Sequence, residues 1–267
     1  MKSEELALRI RRDVVEMAHI SQGSHIGSAL SVADIIAVLY TNFLDIKSIE
    51  NKLDDRGRFI LSKGHAGSAV YSVLAELGLI PLDELKTHYS NGSRLSGHVS
   101  HKGVPGVEFS TGSLGHGVCV ATGIALSYKK KKKEHKIYTV IGDGECNEGS
   151  VWEMAMFAKH FGLDNLYVII DHNKQQGLGF CKEQMDLINL ADKWRAFGWN
   201  VTEIDGHNHL QLKEALTSFQ EQKPNCIIAH TIKGRGVSYM ENKLLWHYRS
   251  PNAEEYNIAM SDLEEYK

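Results

Sequence analysis

The sequence predicts an α/β protein with a mostly parallel central sheet and helices on both faces. From residue 136 onward, short apolar runs alternate with helical patterns; the runs are "IYTVI", "LYVIID", "NVTEI" and "CIIAH". Most of these runs are continuously apolar, which indicates strands covered on both faces, as in parallel sheets with helical crossovers. No internal repeat or proline-rich linker divides the chain. We therefore expect one domain over 1–240 and a C-terminal segment over 241–267 that packs on the domain or on a partner.

Composition is that of a globular protein with a sizeable core. The chain has 267 residues and a formal net charge of -3, and charges of both signs are interspersed, so no strong field favours nucleic acid or an anionic membrane. Four cysteines without a CxxC pattern disfavour a disulfide framework or a zinc site. No stretch approaches the roughly 20 apolar residues of a membrane span, and the charged N-terminus lacks an apolar signal region. We expect a soluble, cytoplasmic protein.

The first half of the chain contains one further strand and several helices. Helical spacing of Leu6, Ile10, Val14 and Met17 predicts an amphipathic first helix that runs into the turn "SQGSHIGSAL". Ser31, with Asp34 three residues later, resembles a cap for the helix "VADIIAVLYTNF". Further on, the pattern predicts a strand at "RFILS", a polar turn at "KGHAG" and a helix at "AVYSVLAELG".

The second half begins with a long irregular stretch. The segment 81–110 is rich in Gly, Ser and His, and a loop of that length is uncommon unless it carries function. Next comes a glycine turn that enters a helix ending in the lysine run "KKKKK", where cations suit the helix dipole. The later helices are predicted at "VWEMAMFAKHF", "DLINLADKWRAF" and "LQLKEALTSFQ".

Polar residues follow two of the predicted strands. Asp143 comes after "IYTVI", and Asn173 comes after "LYVIID". If these strands are parallel neighbours, both side chains lie at the sheet edge where α/β proteins bind ligands. One carboxylate and one amide oxygen suit Mg²⁺ that completes its octahedron with phosphate and water. Either motif alone is no more than a turn, but together they predict a cation and a diphosphate.

Several blocks resemble a known family. "GDGECNEG" followed by "DHNK" resembles the thiamine-diphosphate fingerprint, and the surrounding blocks resemble the N-terminal region of transketolases. Those blocks are "GSHIGSALSVADI", "ILSKGHAGSAVYSVLAELG", "GVEFSTGSLGHG", "IDGHNHLQLKEAL" and "HTIKGRGVSYMENKLLWHY". The resemblance covers nearly the whole chain and implies the thiamine-diphosphate-binding fold.

The resemblance also implies a set of metal and cofactor residues. Asp143, Asn173 and the backbone carbonyl of Gln175 would hold Mg²⁺. Gly144 and Asn173 would also meet the diphosphate of the cofactor, and His65 would reach the same group.

Further residues would meet the rest of the cofactor and the substrate. Gly112, Ser113 and Leu114 would lie along the rings of the cofactor. Glu148 matches a family position that communicates between cofactor sites, although a helix-start carboxylate is the ordinary alternative. His247 belongs to the cofactor set as well. The resemblance implies four catalytic histidines, His25, His65, His98 and His247, and three of them would line the substrate channel: His25, His98 and His247. Imidazoles suit this role because they exchange protons near neutral pH. An isolated histidine is otherwise a surface or structural residue.

The implied function is that of the N-terminal subunit of a split transketolase. Such an enzyme uses thiamine diphosphate and Mg²⁺ to transfer a two-carbon ketol unit from a ketose or ketose phosphate to an aldose. The region that completes the cofactor pocket is not in this chain, so we expect a separate C-terminal subunit, and two copies of each subunit in a heterotetramer.

Two groups of observations leave the substrate and the reaction open. "SHIG", "GSLGHG" and "GHVS" depart from the usual family motifs on the substrate side, which suggests a non-standard ketose. The alternatives are half of a deoxyxylulose-phosphate synthase or of a 2-oxo acid dehydrogenase, and a non-catalytic cofactor-binding or scaffold subunit. A generic nucleotide-binding protein is disfavoured because GxGxxG and P-loop motifs are missing at strand ends.

Overall fold

The computed structural model describes residues 1–266 and contains a five-stranded, fully parallel sheet. The strand order is β1-β2-β3-β5-β4. The strands are β1 Arg58–Leu61, β2 Ile137–Gly142, β3 Leu166–His172, β4 Asn200–Asp205 and β5 Asn225–His230. The predicted fold class is confirmed, and β2 and β3 are hydrogen-bonded neighbours in the register Ile137 to Leu166.

Helices cover both faces of this sheet and include a C-terminal helix that packs against the first one. They are α1 Ser3–Ser21, α2 Ile26–Ser31, α3 Ala33–Asn42, α4 Ile46–Glu50, α5 Gly67–Glu76, α6 His116–Lys130, α7 Gly149–His160, α8 Cys181–Gln184, α9 Leu190–Ala196, α10 His209–Thr217 and α11 Ala253–Glu265. Within residues 1–266, none of them is long and apolar enough to cross a bilayer.

Alternating strand residues build two separate cores. Val140 and Ile169 belong to the core beneath α1, α3, α5 and α10. Ile141 and Ile170 point the other way, into the core beneath α6, α7 and α9. Because successive strand side chains face opposite sides of a sheet, continuous apolar runs are needed to fill both cores.

The local predictions fail at three places. Ser31 does not cap α3: it is the last residue of α2, and its hydroxyl donates to the Asp171 carboxylate at 2.6 Å. Asp34 pairs with Arg11 instead, so α3 begins without a side-chain cap. The helix predicted from residue 186 begins only at residue 190, because Asn189 adopts the left-handed conformation, with φ 55°.

The turn predicted over 21–30 is also shorter than expected, since α2 occupies residues 26–31. By contrast, α1 buries Leu6, Ile10, Val14 and Met17 as their spacing predicts. The lysine run follows as predicted at the end of α6, where Lys130 to Lys132 are exposed.

A buried charge network joins α1 and α3 to the loops after β4 and β5. The guanidinium of Arg11, which has no exposed surface, donates to both oxygens of Asp34. His207 and His209 contact the same carboxylate at 2.7 and 3.0 Å. Burial alone would raise the pKa of Asp34, but the Arg11 charge and the two imidazoles hold that pKa well below its usual range. His207 also accepts the backbone N–H of Ile232 at 2.9 Å, which connects this network to the loop after β5.

We predict that Arg11→Met lowers the free energy of unfolding by about 3 kcal/mol, since it leaves a buried carboxylate without its cation. Arg9→Met is the matched control on the same helix, because Arg9 is 46% exposed and its ion pairs with Glu5 and Glu76 contribute under about 1 kcal/mol. Urea denaturation followed by circular dichroism measures both. Equal losses in the two variants would contradict the importance assigned to the buried network.

Candidate functional site

A cavity of about 400 Å³ opens at the carboxyl ends of the strands. The loops after β1, β2, β3 and β5 all contribute to its wall, together with the start of α2 and the turn before α6. A larger cavity of about 820 Å³ lies beside α8 and α9, and the described residues that line it include none of the predicted site residues. We assign the site to the smaller cavity, because ionisable and glycine residues from four strand ends converge there.

Asp143 and Asn173 lie close together, as the predicted strand pairing requires. The backbone N–H of Lys174, the residue after Asn173, donates to one Asp143 oxygen at 2.5 Å. The N–H of Gly144 donates to the other oxygen at 2.7 Å. Burial, followed by the nearby charge of Asp171, raises the pKa of Asp143 to about 6. A buried carboxylate in this position favours a neighbouring cation.

Asp171 is the centre of a second buried network directly behind Asn173. Its carboxylate accepts hydrogen bonds from Lys63 after β1, Ser31 of α2, Thr231 after β5 and the Asn173 amide nitrogen. The bond from Asn173 is 3.0 Å long, and it orients the amide with its oxygen away from Asp171. Burial alone would raise the pKa of Asp171, but Lys63 and the hydroxyl donors hold that pKa below its usual value.

Glu145 fixes the turn that enters α6. Its carboxylate accepts from the Ser62 hydroxyl, from Gly115 N–H at 2.8 Å and from Gly142 N–H at 3.1 Å. Gly115 has φ 78°, and a Cβ there would stand 2.2 Å from the Ser150 hydroxyl, so only glycine fits. This carboxylate therefore ties the ends of β1 and β2 to the glycine turn.

Four histidines meet on one side of the cavity. The His25 ring lies 5.1, 5.6 and 4.9 Å from the rings of His65, His98 and His247. Ser28 is 2.9 Å from His65 Nε2, and Lys233 Nζ donates to His247 Nδ1 at 2.8 Å. The structure thus brings together all four histidines that the sequence singles out.

These histidines are uncharged at neutral pH. Burial, followed by the neighbouring histidine and lysine side chains, lowers the pKa of His25 to about 4 and that of His247 to about 3. Burial and Lys63 hold the pKa of His65 well below its usual value, and burial lowers that of His98. Neutral imidazoles can donate at one nitrogen and accept at the other.

The remaining singled-out residues lie around the same cavity, with one exception. Gly112, Leu114, Gly144, Glu148 and Gln175 all line its wall. Ser113 is exposed and is absent from that wall. Glu148 precedes α7 and makes no side-chain cap there.

Sequence reasoning missed several polar residues of the site. Lys63, Asp171, Glu145 and Lys233 are buried within or directly behind the cavity, and Tyr248 lies at its wall. All five stand inside blocks quoted for other residues, namely "KGHA", "DHN", "GDGE" and "HTIKGRGVSYMENKLLWHY". A charged residue next to a predicted strand end was the available signal, because such a side chain needs a buried partner.

This fold and site define the class of thiamine-diphosphate-binding domains. The family described as "Transketolase, thiamine diphosphate binding domain" matches residues 3–262. The chain belongs to the transketolase family, as its sequence motifs predict.

Proteins similar to the chain include separate subunits as well as longer transketolases. An apulose-4-phosphate transketolase subunit of Actinobacillus succinogenes is 42% identical over 98% of this chain and 96% of its own length. The 6-deoxy-6-sulfo-D-fructose transketolase subunit SqwG of Clostridium sp. is 38% identical over 99% and 98%. The solved transketolase from Leishmania mexicana superposes with a TM-score of 0.91 at 28% identity and covers 99% of this chain. The match takes in only 41% of the Leishmania chain, so this protein spans about two fifths of that transketolase.

The two buried lysines of the cavity should respond differently to replacement by methionine. Lys63→Met leaves the Asp171 carboxylate without its cation and should cost about 3 kcal/mol of unfolding free energy at pH 7. Among the described residues Lys233 has no carboxylate partner, and burial lowers its pKa to about 8. Lys233→Met removes a cation that burial disfavours, so it should not lower the stability at pH 7.

The pH dependence provides a second measurement on the same pair. Because the folded pKa of Lys233 lies below its unfolded value of 10.5, the wild-type protein gains stability as pH rises from about 8 to 10. Lys233→Met should lack this gain, so its stability relative to wild type should be lower at pH 10 than at pH 7. Parallel pH curves for wild type and Lys233→Met in urea denaturation would contradict the assignment.

Proposed function

We propose that this chain is the N-terminal subunit of a two-subunit transketolase and that it binds the diphosphate end of thiamine diphosphate together with Mg²⁺. The observation that carries the proposal is the convergence of Asp143, Asn173 and the Gln175 backbone in one cavity with two lysines and four histidines. The reaction is the transfer of a two-carbon ketol unit from a ketose to an aldose.

The residues present suit a hard divalent cation. Both oxygens of Asp143 keep lone pairs after accepting one N–H each, and the Asn173 oxygen is oriented away from Asp171. Among residues 1–266 we find no donor to the Gln175 carbonyl. The same part of the chain contains no cluster of three His, Cys, Asp or Glu ligands. A metal held by so few protein oxygens is one that shares its coordination with phosphate, as Mg²⁺ does.

The cavity also suits the diphosphate. Lys63 and Lys233 bring positive charge to it, and a Cβ at Gly142 would enter open space, so the strand end leaves room for a close ligand. His65 lies on the same wall, with Ser28 beside its Nε2. Gly112 and Leu114 line the side toward α6, where we place the rings of the cofactor.

When bound, thiamine diphosphate supplies a nucleophilic carbon and an electron sink for breaking the carbon–carbon bond beside a ketose carbonyl. The protein side chains bind and orient the sugar and move its hydroxyl protons. His25, His65, His98 and His247 are neutral, so each can accept a proton from a sugar hydroxyl or donate one at its N–H. Lys233, through its bond to His247 Nδ1, leaves His247 with its proton on Nε2.

A partner chain completes the cofactor site. We place a C-terminal transketolase subunit over the open side of the cavity, with two copies of each chain in a heterotetramer. Two groups of exposed apolar side chains support an extensive interface. The first group follows Gln175 in the chain and consists of Leu178, Phe180, Met185 and Ile188. The second group lies on α7 or directly after it and consists of Met156, Phe157 and Phe161.

The similar subunits suggest the class of substrate. Their names refer to apulose-4-phosphate and to 6-deoxy-6-sulfo-D-fructose. We therefore propose a non-standard ketose or ketose phosphate as the donor. A cytoplasmic location is part of the same proposal and agrees with four cysteines that form no disulfide in the described residues.

Removal of the metal ligand provides the first test. Asp143→Ala should weaken Mg²⁺-dependent binding of thiamine diphosphate by at least about 100-fold, because the carboxylate proposed as a metal ligand is lost. Calorimetric titration of thiamine diphosphate with and without Mg²⁺ measures this effect. Asp186→Ala is the control: it removes an exposed carboxylate that follows α8, and it should bind thiamine diphosphate as tightly as wild type does. Equal binding by the two variants would refute the metal assignment.

Reconstitution provides the second test. The chain alone should show no transketolase turnover, and the addition of its C-terminal partner chain should produce activity that saturates at equimolar chains. Donor assays with ketose phosphates and with pyruvate distinguish a transketolase from a deoxyxylulose-phosphate synthase. Turnover by the isolated chain would contradict the proposed division of the enzyme between two chains, and a cofactor-bound complex without turnover would favour a scaffold role.

A further inference from the structure

His88 is a buried histidine that has no role in the site described above. It follows the 3₁₀ turn Leu82–Thr87, its side chain lies beneath the surface, and the residue is only 6% exposed. Neither ring nitrogen has a hydrogen-bond partner among the described residues. An imidazole buried without a protein partner carries a substantial desolvation cost, so it needs a ligand or a water molecule.

A small cavity of about 20 Å³ separates His88 from two of the substrate-side histidines. Its wall includes His88, His25 and His98. The Cε1 atom of His88 lies between the two ring nitrogens and is near Gly23, another residue of that wall. A Cβ atom added to Gly23 would stand 4.0 Å from this Cε1. A polar cavity of this volume holds one water molecule.

His25 presents a matching nitrogen. Its Nδ1 is buried and has no hydrogen-bond partner among residues 1–266. The residue itself is held in place, because its backbone N–H donates to the His247 carbonyl at 2.7 Å and its φ of 75° is a strained conformation for a non-glycine residue. The ring packs against the rings of His65, His98 and His247, whose centres lie 4.9 to 5.6 Å away.

Charge decides which nitrogen of His25 carries the proton. Lys63 and Lys233 lie on the wall of the 400 Å³ cavity of the candidate site, which His25 also lines. A lone pair facing two cations is more stable than an N–H facing them. On the other side, the ring of His88 is neutral, because burial lowers its pKa to about 4. The N–H of His25 thus belongs on the His88 side.

We propose that His88 is a positioning residue that, through one water molecule in the small cavity, holds the proton of His25 on Nδ1 and leaves Nε2 as the proton acceptor toward the sugar. This inference rests on the proposed function, since it assigns a direction to proton transfer at the same site. Proton transfer from a substrate hydroxyl to Nε2 then gives an imidazolium whose Nδ1–H is already hydrogen-bonded.

The test reads the tautomer directly in the full chain, without cofactor or partner. Long-range ¹H–¹⁵N correlation spectra of histidine-labelled protein should show His25 as the Nδ1–H tautomer. In His88→Phe, which keeps a ring but removes its nitrogens, the His25 signals should move toward a mixture of tautomers. His88→Gln, which can still bond the water, should restore the wild-type signals. His135→Phe is the control and should leave His25 unchanged, because the His135 side chain is 41% exposed and lies near Asp55.

Activity of the assembled enzyme gives the second readout. His88→Phe should lower kcat by about 10-fold with little change in KM, and His88→Gln should recover most of that loss. An Nε2–H tautomer in the wild-type chain would overturn the proposal even if every variant at position 88 failed to fold. So would unchanged His25 signals in folded His88→Phe. Neither result bears on whether the chain binds thiamine diphosphate and Mg²⁺, which the titrations of the Asp143 variant decide.

Discussion

The candidate site depends on one buried carboxylate, that of Asp171. It accepts hydrogen bonds from Lys63, Ser31, Thr231 and Asn173, which come from α2 and from the loops after three different strands. A carboxylate without exposed surface is stable as an anion only if it is fully paired. The same bonds therefore fix the spacing of four chain segments and the orientation of the amide proposed as a metal ligand.

Strand pattern, together with the assumption that β2 and β3 are parallel neighbours, was enough to predict the placement of Asp143 beside Asn173, because parallel pairing brings the ends of neighbouring strands to one edge. The roles of Ser31 and Asp34 were not predictable in this way. Local spacing favoured a helix cap, but Asp171 and Arg11 lie far away in the sequence and form stronger, buried interactions with them. Tertiary partners of this kind leave no periodic signal.

Charge balance explains how histidines and lysines share one small cavity. Burial and the lysines keep the imidazoles neutral, so the histidines add donors and acceptors without adding positive charge. Lys63 is compensated by Asp171, while Lys233 is bonded to His247 and a backbone carbonyl. The sequence indicated which histidines lie in the site, but the neutral state of their rings follows from burial that only the folded chain reveals.

The open side of the cavity requires tight association between this chain and the C-terminal subunit that we propose. In a fused transketolase, a covalent connection keeps the halves at an effective local concentration on the order of millimolar. In the two-chain enzyme that we propose, no such connection joins the halves. Contacts around residues such as Leu178 and Phe180 must then provide all of the affinity between the two chains. Dilution would dissociate the pair, and catalytic output would follow the supply of whichever polypeptide is scarcer.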